Sequence, residues 1–141
     1  MINCTHSTIH PAKYDLTGVK HKMHESAENY LETIFMLGQS GKPVRSIDIA
    51  HELEYSKPSV SVAMKNLRIA GHIIVDGDGH ITLTETGLEI AQNMFDRHTV
   101  ISNWLIDLGV DQDIAAADAC KIEHVMSEQS FAAIRKYIES K

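Results

Sequence analysis

Apolar residues recur three and four positions apart along most of the chain, the spacing of helices that bury one face. This pattern predicts a first helix over about residues 26–37, a short second helix with Ser46 as its N-cap, and a third from the N-cap Ser56 to about Ala70. The side chains expected to face inward are Tyr30, Leu31, Ile34, Phe35 and Leu37 in the first helix, Ile47, Ala50 and Leu53 in the second, and Val60, Met64 and Leu67 in the third.

The pattern changes after the third helix. Two short β-branched runs, residues 73–75 and 81–83, flank the sequence Asp76-Gly77-Asp78-Gly79. Turn residues of this kind between two strand-like runs are a strong hairpin signal. We therefore predict a β-hairpin directly after the third helix.

Helical spacing returns in the last part of the chain. Thr84 caps a predicted long helix over about residues 85–108, which Gly109 ends, and Asp111 and Ser127 cap two further helices. The long helix carries one stripe, which suits a dimer seam or packing on the next helices. The stripe comprises Leu88, Ala91, Phe95, His98, Ile101, Leu105 and Leu108, and the last helix should bury Phe131, Ile134 and Ile138.

Two helices joined by a tight turn and followed by a hairpin describe a winged helix-turn-helix. The predicted fold class is thus mainly α, with a winged helix-turn-helix DNA-binding domain over residues 25–84 and an all-helical domain over residues 85–141. Residues 1–24 show no clear period and are expected to form an N-terminal extension.

The third helix carries a basic stripe formed by Lys57, Ser61, Lys65 and Arg68. Most charged stripes are solvated faces, but residues 56–70 contain no acidic side chain in a chain whose formal net charge is −6. This local asymmetry favours DNA as the partner, although the overall charge argues against a protein that coats nucleic acid.

Composition and the apolar runs limit the class of protein to which this chain can belong. The 43% hydrophobic content supports a real core. No apolar run reaches the length of a membrane span, and the first residues lack the features of a secretory signal. Two cysteines are too few for a disulfide framework, so a cytoplasmic location is the default expectation.

The sequence Cys120-Lys121-Ile122-Glu123-His124 offers candidate chemistry near the C-terminus. In a helix, Cys120, Glu123 and His124 share one face and present a thiolate, a carboxylate and an imidazole. Such a set suits a transition metal better than calcium or magnesium, which prefer oxygen ligands. Three donors do not close a site, and an isolated motif of this kind is more often a buried cysteine beside two solvated polar residues.

The order of elements together with these motifs resembles the diphtheria toxin repressor family of metal-dependent repressors, which includes the manganese transport regulators. The resemblance covers about residues 25–141. The motifs that carry it are Glu28-Asn29-Tyr30-Leu31-Glu32-Thr33-Ile34, Ser56-Lys57-Pro58-Ser59-Val60-Ser61, Leu83-Thr84-Glu85-Thr86-Gly87, Asp96-Arg97-His98 and Ala119-Cys120-Lys121-Ile122-Glu123-His124-Val125-Met126-Ser127.

The resemblance implies a homodimer that binds palindromic operator DNA when loaded with Fe(II) or Mn(II). Cys120, Glu123 and His124 match the main site of iron-type members, and manganese-type members have Glu at position 120. The resemblance also makes residues 85–141 the expected all-helical dimerisation and metal-binding domain. Two further ligand positions match, His98 in both types and Glu32 in the manganese type. Asn29 is a candidate oxygen ligand that departs from the family, because the iron type has Met at this position and the manganese type has Asp.

A second departure is that Ser102 and Ala116 replace ligands of the iron type's accessory site. As a third, we expect no SH3-like domain, as in the shorter manganese-type members. The soft thiolate favours Fe(II) over Mn(II) and admits Co(II), Ni(II) or Zn(II) as substitutes in vitro. The residues expected to contact DNA are Arg45, Ser56, Lys57, Pro58, Ser59, Ser61 and Lys65, with Val62 offering an apolar contact to a base.

Two other regulatory functions are also compatible with the sequence. A winged-helix regulator could sense a small organic ligand, or it could respond to the redox state of Cys120. An enzyme is disfavoured, because the sequence holds no HExxH motif and no phosphate-cradling loop. We expect neither a small-molecule substrate nor a membrane partner.

Overall fold

The structure, a computed structural model, describes residues 25–141, so the N-terminal extension expected over residues 1–24 lies outside the described part. Six helices and one two-stranded sheet make up this part, which confirms the mainly α fold class with its winged helix-turn-helix. The elements are α1 (Glu25–Gly38), α2 (Ser46–Leu53), α3 (Lys57–Ile69), β1 (Ile73–Val75), β2 (Ile81–Leu83), α4 (Glu85–Asp107), α5 (Gln112–Val125) and α6 (Glu128–Glu139).

Four of the five predicted N-caps are confirmed. Ser56, Thr84, Asp111 and Ser127 each accept a main-chain N–H from the first turn of the helix that follows. Each side-chain oxygen thereby satisfies one of the N–H groups that a helix start leaves without a partner.

The predicted N-cap Ser46 is wrong. Arg45 is the N-cap of α2, and its main-chain N–H donates to Asp48 Oδ2 at 2.9 Å. The N-cap shifts by one residue because of this bond, in which an acidic side chain in the first turn accepts the main-chain N–H of the cap residue. The inward face also differs from the prediction, because Ile49 is fully buried while Ile47 is 37% exposed.

The hairpin is antiparallel, with Ile74 opposite Thr82. Asp76 Oδ1 accepts the main-chain N–H groups of Asp78 and His80, which closes the turn that the sequence predicts. Val44, just before α2, forms a bridge with Ile81, so the hairpin is fixed to the helix-turn-helix.

The described core has two clusters of buried side chains. The first joins α1, α2, α3 and the hairpin, and includes Ala91 near the start of α4. The second lies around Ile101, Ala119 and Phe131, where α4, α5 and α6 meet. Helix α4 therefore runs from one cluster into the other.

The stripe predicted on α4 is partly wrong. Ala91, His98 and Ile101 are buried as expected, but Leu88 and Phe95 remain 37% and 36% exposed. The helix buries Met94 and Arg97 as well, because its inward face is set by contacts with both α1 and α5. The exposed apolar side of α4 is the face that the sequence assigned either to a dimer seam or to neighbouring helices.

Candidate metal centre

Three helices bring their polar side chains together at the junction of the two clusters. On α5, the ligand atoms of Cys120, Glu123 and His124 lie within 4.8 Å of one another. A second group, formed by Glu32 of α1, His98 of α4 and the same Glu123, meets the same limit. Glu123 therefore belongs to both groups, and the helical spacing on α5 explains why its three residues face one way.

The cluster is buried. Glu123 is fully buried and Glu32 is 1% exposed. His98 Nδ1 lies 2.9 Å from Glu123 Oε2, and His124 Nε2 lies 3.3 Å from Glu123 Oε1. The Glu123 carboxylate thus sits between two imidazoles, one from α4 and one from its own helix.

Several of these buried polar atoms lack a hydrogen-bond partner among the described residues. They are both carboxyl oxygens of Glu32, Oε1 of Glu123 and Nε2 of His124. A buried polar atom without a partner is costly, so such atoms in one place call for an explanation. A divalent cation held by Glu32, Glu123 and His124 would give such atoms a partner, and the mixed oxygen and nitrogen donors fit a transition metal.

The electrostatics of the cluster also suit a cation. Burial and the adjacent Glu123 carboxylate raise the pKa of Glu32 to about 9. Burial alone would raise the pKa of Glu123, but contacts with His124 and His98 hold it below its usual value. Burial alone would lower the pKa of His124, yet the carboxylates of Glu123 and Glu28 raise it to about 10. Protons therefore occupy the positions where a metal ion would supply positive charge.

The remaining two expected ligands are placed less directly. Asn29 is buried on α1, one turn before Glu32. Cys120 is buried beside Glu123 and His124, but its sulfur is part of a disulfide. A thiolate is the form of cysteine that binds metal, so ligation by Cys120 requires the reduced residue.

Two residues of the site were missed by the sequence reasoning. Glu28 Oε1 lies 3.2 Å from His124 Nδ1. Arg97 is 3% exposed and donates from Nη1 to the main-chain oxygens of Glu123, at 3.0 Å, and Met126, at 2.6 Å. Glu28 lies one turn before Glu32, a spacing that could have suggested a shared face. Arg97 stands in the motif Asp96-Arg97-His98, but that motif does not indicate which groups Arg97 contacts.

The residues expected to contact DNA are all exposed, and they lie on α3, at its N-cap and at the N-cap of α2. Arg45 Nη2 lies 3.0 Å from His80 Nε2, which connects the N-cap of α2 to the hairpin. Val62 is 61% exposed, so its apolar side chain is free to meet a base. The exposed set comprises Arg45, Ser56, Lys57, Pro58, Ser59, Ser61, Val62 and Lys65.

Ser56 also stabilises α3, because its Oγ accepts the Ser59 N–H at 3.3 Å as the N-cap of the helix.

Across residues 25–141, no helix combines the length and apolar character that crossing a membrane requires.

Two family models match the chain. One describes the N-terminal DNA binding domain of iron dependent repressors and matches residues 22–81. The other describes the metal binding and dimerisation domain of iron dependent repressors and matches residues 84–140. Their junction falls at the start of α4.

Individual relatives are similar over most of the chain. The iron-dependent repressor IdeR of Mycobacterium tuberculosis is 35% identical over 105 residues, which are 74% of this chain and 46% of IdeR. The transcriptional regulator MntR of Escherichia coli O157:H7 is 33% identical over 115 residues, 82% of this chain and 74% of MntR. The chain thus spans about half the length of IdeR but most of the length of MntR.

A solved manganese-dependent transcriptional repressor in complex with manganese has a similar fold. It superposes with a TM-score of 0.74 at 26% identity, covering 82% of this chain and 53% of that one.

Proposed function

The chain belongs to the diphtheria toxin repressor family of metal-dependent transcriptional regulators, and we propose that it represses transcription by binding palindromic operator DNA as a homodimer when loaded with a divalent transition metal. In this proposal, residues 25–84 bind DNA, and residues 85–141 bind the metal and form the dimer. The genes under control would be those of metal homeostasis.

The observation that carries the proposal is the group of buried polar atoms at the junction of α1, α4 and α5 that have no hydrogen-bond partner within residues 25–141. When bound, a divalent cation supplies positive charge that balances the carboxylates and accepts the lone pairs of the deprotonated imidazoles. The residues that would hold it are Glu32, His98, Glu123 and His124, joined by Asn29 and reduced Cys120. Fe(II) is favoured because a thiolate is a soft ligand, and Mn(II) comes next because Glu32 and Asn29 add hard oxygen donors.

Helix α1 gives a physical reason for linking metal to DNA. Leu31 and Ile34 are buried in the cluster that holds α2, α3 and the hairpin, while Glu32 points into the metal centre. A cation held by Glu32 together with α5 therefore fixes the DNA-binding part against α4 and α5. Metal and operator then strengthen each other's binding, with a coupling of about 1–3 kcal/mol, or roughly 5- to 150-fold in affinity.

Dimer formation enters because two recognition helices must reach successive major grooves, about 34 Å apart, on a palindromic site. The exposed apolar side of α4, which includes Leu88 and Phe95, is available for this contact. On DNA, the exposed set on α3 would hold phosphates, with Val62 against a thymine methyl, so much of the specificity would come from DNA shape.

The test is a binding assay under anaerobic, reducing conditions, with DNA from upstream of metal transporter genes and with Fe(II), Mn(II) or Zn(II) at buffered concentration. We expect Glu123→Ala and His124→Ala to abolish metal-dependent DNA binding while the folded dimer persists. Glu128→Ala, which borders the same cavity without belonging to either ligand group, is the matched control and should bind like wild type. Wild-type binding that is equally tight without metal would refute the proposal.

A second function, a redox response through Cys120, is favoured by one observation, the disulfide state of its sulfur. The two functions predict different behaviour of Cys120→Ser. If this variant keeps metal-dependent DNA binding and loses a response to oxidant, the redox function stands beside the metal function. If the wild-type protein shows no response to oxidant, the redox function is refuted.

A further inference from the structure

Glu28 and His124 form a contact that joins two distant parts of the chain. Glu28 lies on α1 and His124 on α5, 96 positions later, and Glu28 Oε1 is 3.2 Å from His124 Nδ1. The side chains are 12% and 1% exposed, so the contact is shielded from water. None of the sequence reasoning about metal ligands assigned a role to Glu28.

The chemistry of the two groups fixes which nitrogen of His124 keeps its proton when the ring becomes neutral to bind a cation. A carboxylate has only acceptor sites, so the Nδ1 of His124 must be the donor in this contact. In the neutral ring, the other nitrogen, Nε2, then holds the lone pair. Nε2 is the atom that lies 3.3 Å from Glu123 Oε1 and that is buried without a hydrogen-bond partner among the described residues.

We propose that Glu28 is a positioning residue for the metal centre: it holds Nδ1–H of His124 and thereby presents Nε2 to the cation. The inference rests on the proposed function, in that a cation must bind at this cluster. Carboxylates that orient a ligating histidine in this way fix both its tautomer and its ring angle, and their loss typically costs about 10- to 100-fold in metal affinity.

Because Glu28 lies on α1, the same hydrogen bond also ties the first helix to α5. Glu32, one turn further along α1, contributes to the ligand group itself. Glu28 therefore acts through His124, whereas Glu32 would touch the cation.

A competing account is that any negative charge near the cation would help to bind it. Glu28 borders a cavity of about 480 Å³ that Glu89 and Glu128 also line. Glu89 is exposed and makes no hydrogen bond to His124 among the described residues. Glu89→Ala therefore removes a charge from the same cavity without touching the proposed hydrogen bond, and it is the matched control.

The experiment measures Zn(II) affinity by competition with a chelator, under reducing conditions, because Zn(II) is diamagnetic and allows NMR on the same samples. We expect Glu28→Ala to weaken binding about 10- to 100-fold, and Glu28→Gln, which keeps a neutral acceptor, to lose less. Glu89→Ala should stay close to wild type. In a His124→Ala background, Glu28→Ala should cause no further loss, because its effect runs through that ring.

A second readout reports the hydrogen bond itself. In the Zn(II)-loaded wild type with ¹⁵N-labelled histidine, His124 Nδ1 should carry a proton protected from exchange with water. That protection should disappear in Glu28→Ala and persist in Glu89→Ala. Equal affinity losses in Glu28→Ala and Glu89→Ala, or a protected Nδ1 proton that survives Glu28→Ala, would overturn the proposal. Failure of the wild type to bind Zn(II) would refute the proposed function instead, so the two failures are distinct.

Discussion

Metal binding should release protons, and its affinity should therefore rise with pH. Two groups of the centre hold a proton at neutral pH: Glu32, whose pKa is raised to about 9, and His124, whose pKa is raised to about 10. A carboxylate or an imidazole must lose its proton before it can bind a cation. Each cation bound below about pH 9 should consequently displace about two protons.

The size of the effect follows from this count. Each proton released makes the affinity rise tenfold per pH unit, so two protons give about a hundredfold increase between pH 7 and pH 8. Cys120, if it binds as a reduced thiolate, adds a further proton to the count. Glu32→Gln removes one titrating group and should lower the count by about one, even though it also weakens binding.

The stability of the metal-free protein should change in the opposite direction. A group whose pKa is raised on folding contributes stability that is complete below its unfolded pKa and is lost as the pH rises through its folded pKa. For His124 this window runs from 6.5 to about 10, and for Glu32 from 4.5 to about 9. The metal-free protein should therefore lose stability from neutral to alkaline pH, and the gain in melting temperature on adding metal should grow.

Two assays check these statements. Isothermal titration with Mn(II) in buffers of different ionisation enthalpy counts protons directly, and thermal melts with and without Mn(II) between pH 6.5 and 8 follow stability. A proton count near zero, with an affinity that does not change with pH, would refute the reasoning. It would mean that Glu32 and His124 are not ligands, or that they are already deprotonated before the cation arrives.

Three further predictions concern the fold and the DNA surface. Gly87→Ala should destabilise the protein by about 3 kcal/mol in urea unfolding, because the new Cβ would overlap the main-chain oxygen of His72; stability equal to wild type would disprove that close approach. Lys65→Ala should reduce the slope of log affinity against log salt by about 0.9, whereas Lys136→Ala on α6 should leave it unchanged. Arg97→Met should lower the free energy of unfolding in urea by about 3 kcal/mol, because a buried and a part-buried carbonyl oxygen at the end of α5 lose a charged donor. An unchanged stability would show that Arg97 does not stabilise that helix end.

The sequence predicts features that depend on neighbours along the chain. The caps Ser56, Thr84, Asp111 and Ser127 are confirmed because a cap is decided within one turn of helix. The hairpin is confirmed for the same reason, since its turn residues act locally. The N-cap of α2 was misplaced by one residue because the reach of Asp48 back to Arg45 competes with the hydroxyl of Ser46.

Inward faces depend on partners that are distant in sequence, and there the prediction was less accurate. Leu88 and Phe95 continue the apolar stripe of α4, yet the helix is rotated so that Met94 and Arg97 face inward. Spacing alone cannot show this, because a helix with apolar residues on two adjacent faces has no unique inward side.

In the candidate metal centre, too, local spacing predicted some residues and not others. Cys120, Glu123 and His124 follow from helical spacing, and their ligand atoms do lie together. Glu32 and His98 entered through the family resemblance, and the structure brings both of them to Glu123. Whether these residues bind metal stays a prediction.

Glu28 and Arg97 could not be predicted, because their roles depend on how helices pack. Glu28 approaches His124 across 96 positions of sequence, through the contact of α1 with α5. Arg97 is buried because two main-chain oxygens at the end of α5 accept its guanidinium N–H groups. The Arg97 Cζ also lies 5.1 Å from the centroid of the Phe131 ring. The spacing of Glu28 and Glu32 places them on one face of α1, but it does not show that this face meets His124. Spacing also does not show the partners of Arg97.

Helix α1 connects the candidate metal centre to the DNA-binding part, so a small movement at the metal centre can affect the DNA-binding surface. Adjacent positions on a helix are about 100° apart, so Leu31 faces the DNA-binding core while Glu32 faces the metal centre. Any rotation or shift of α1 that brings Glu32 toward a cation must move Leu31, and with it the packing of α2 and α3. A packed core resists continuous deformation, so such a shift repositions the recognition helix as a unit. In the proposed function, the carboxylates of Glu28 and Glu32 would thereby set the angle of the DNA-binding surface without touching DNA.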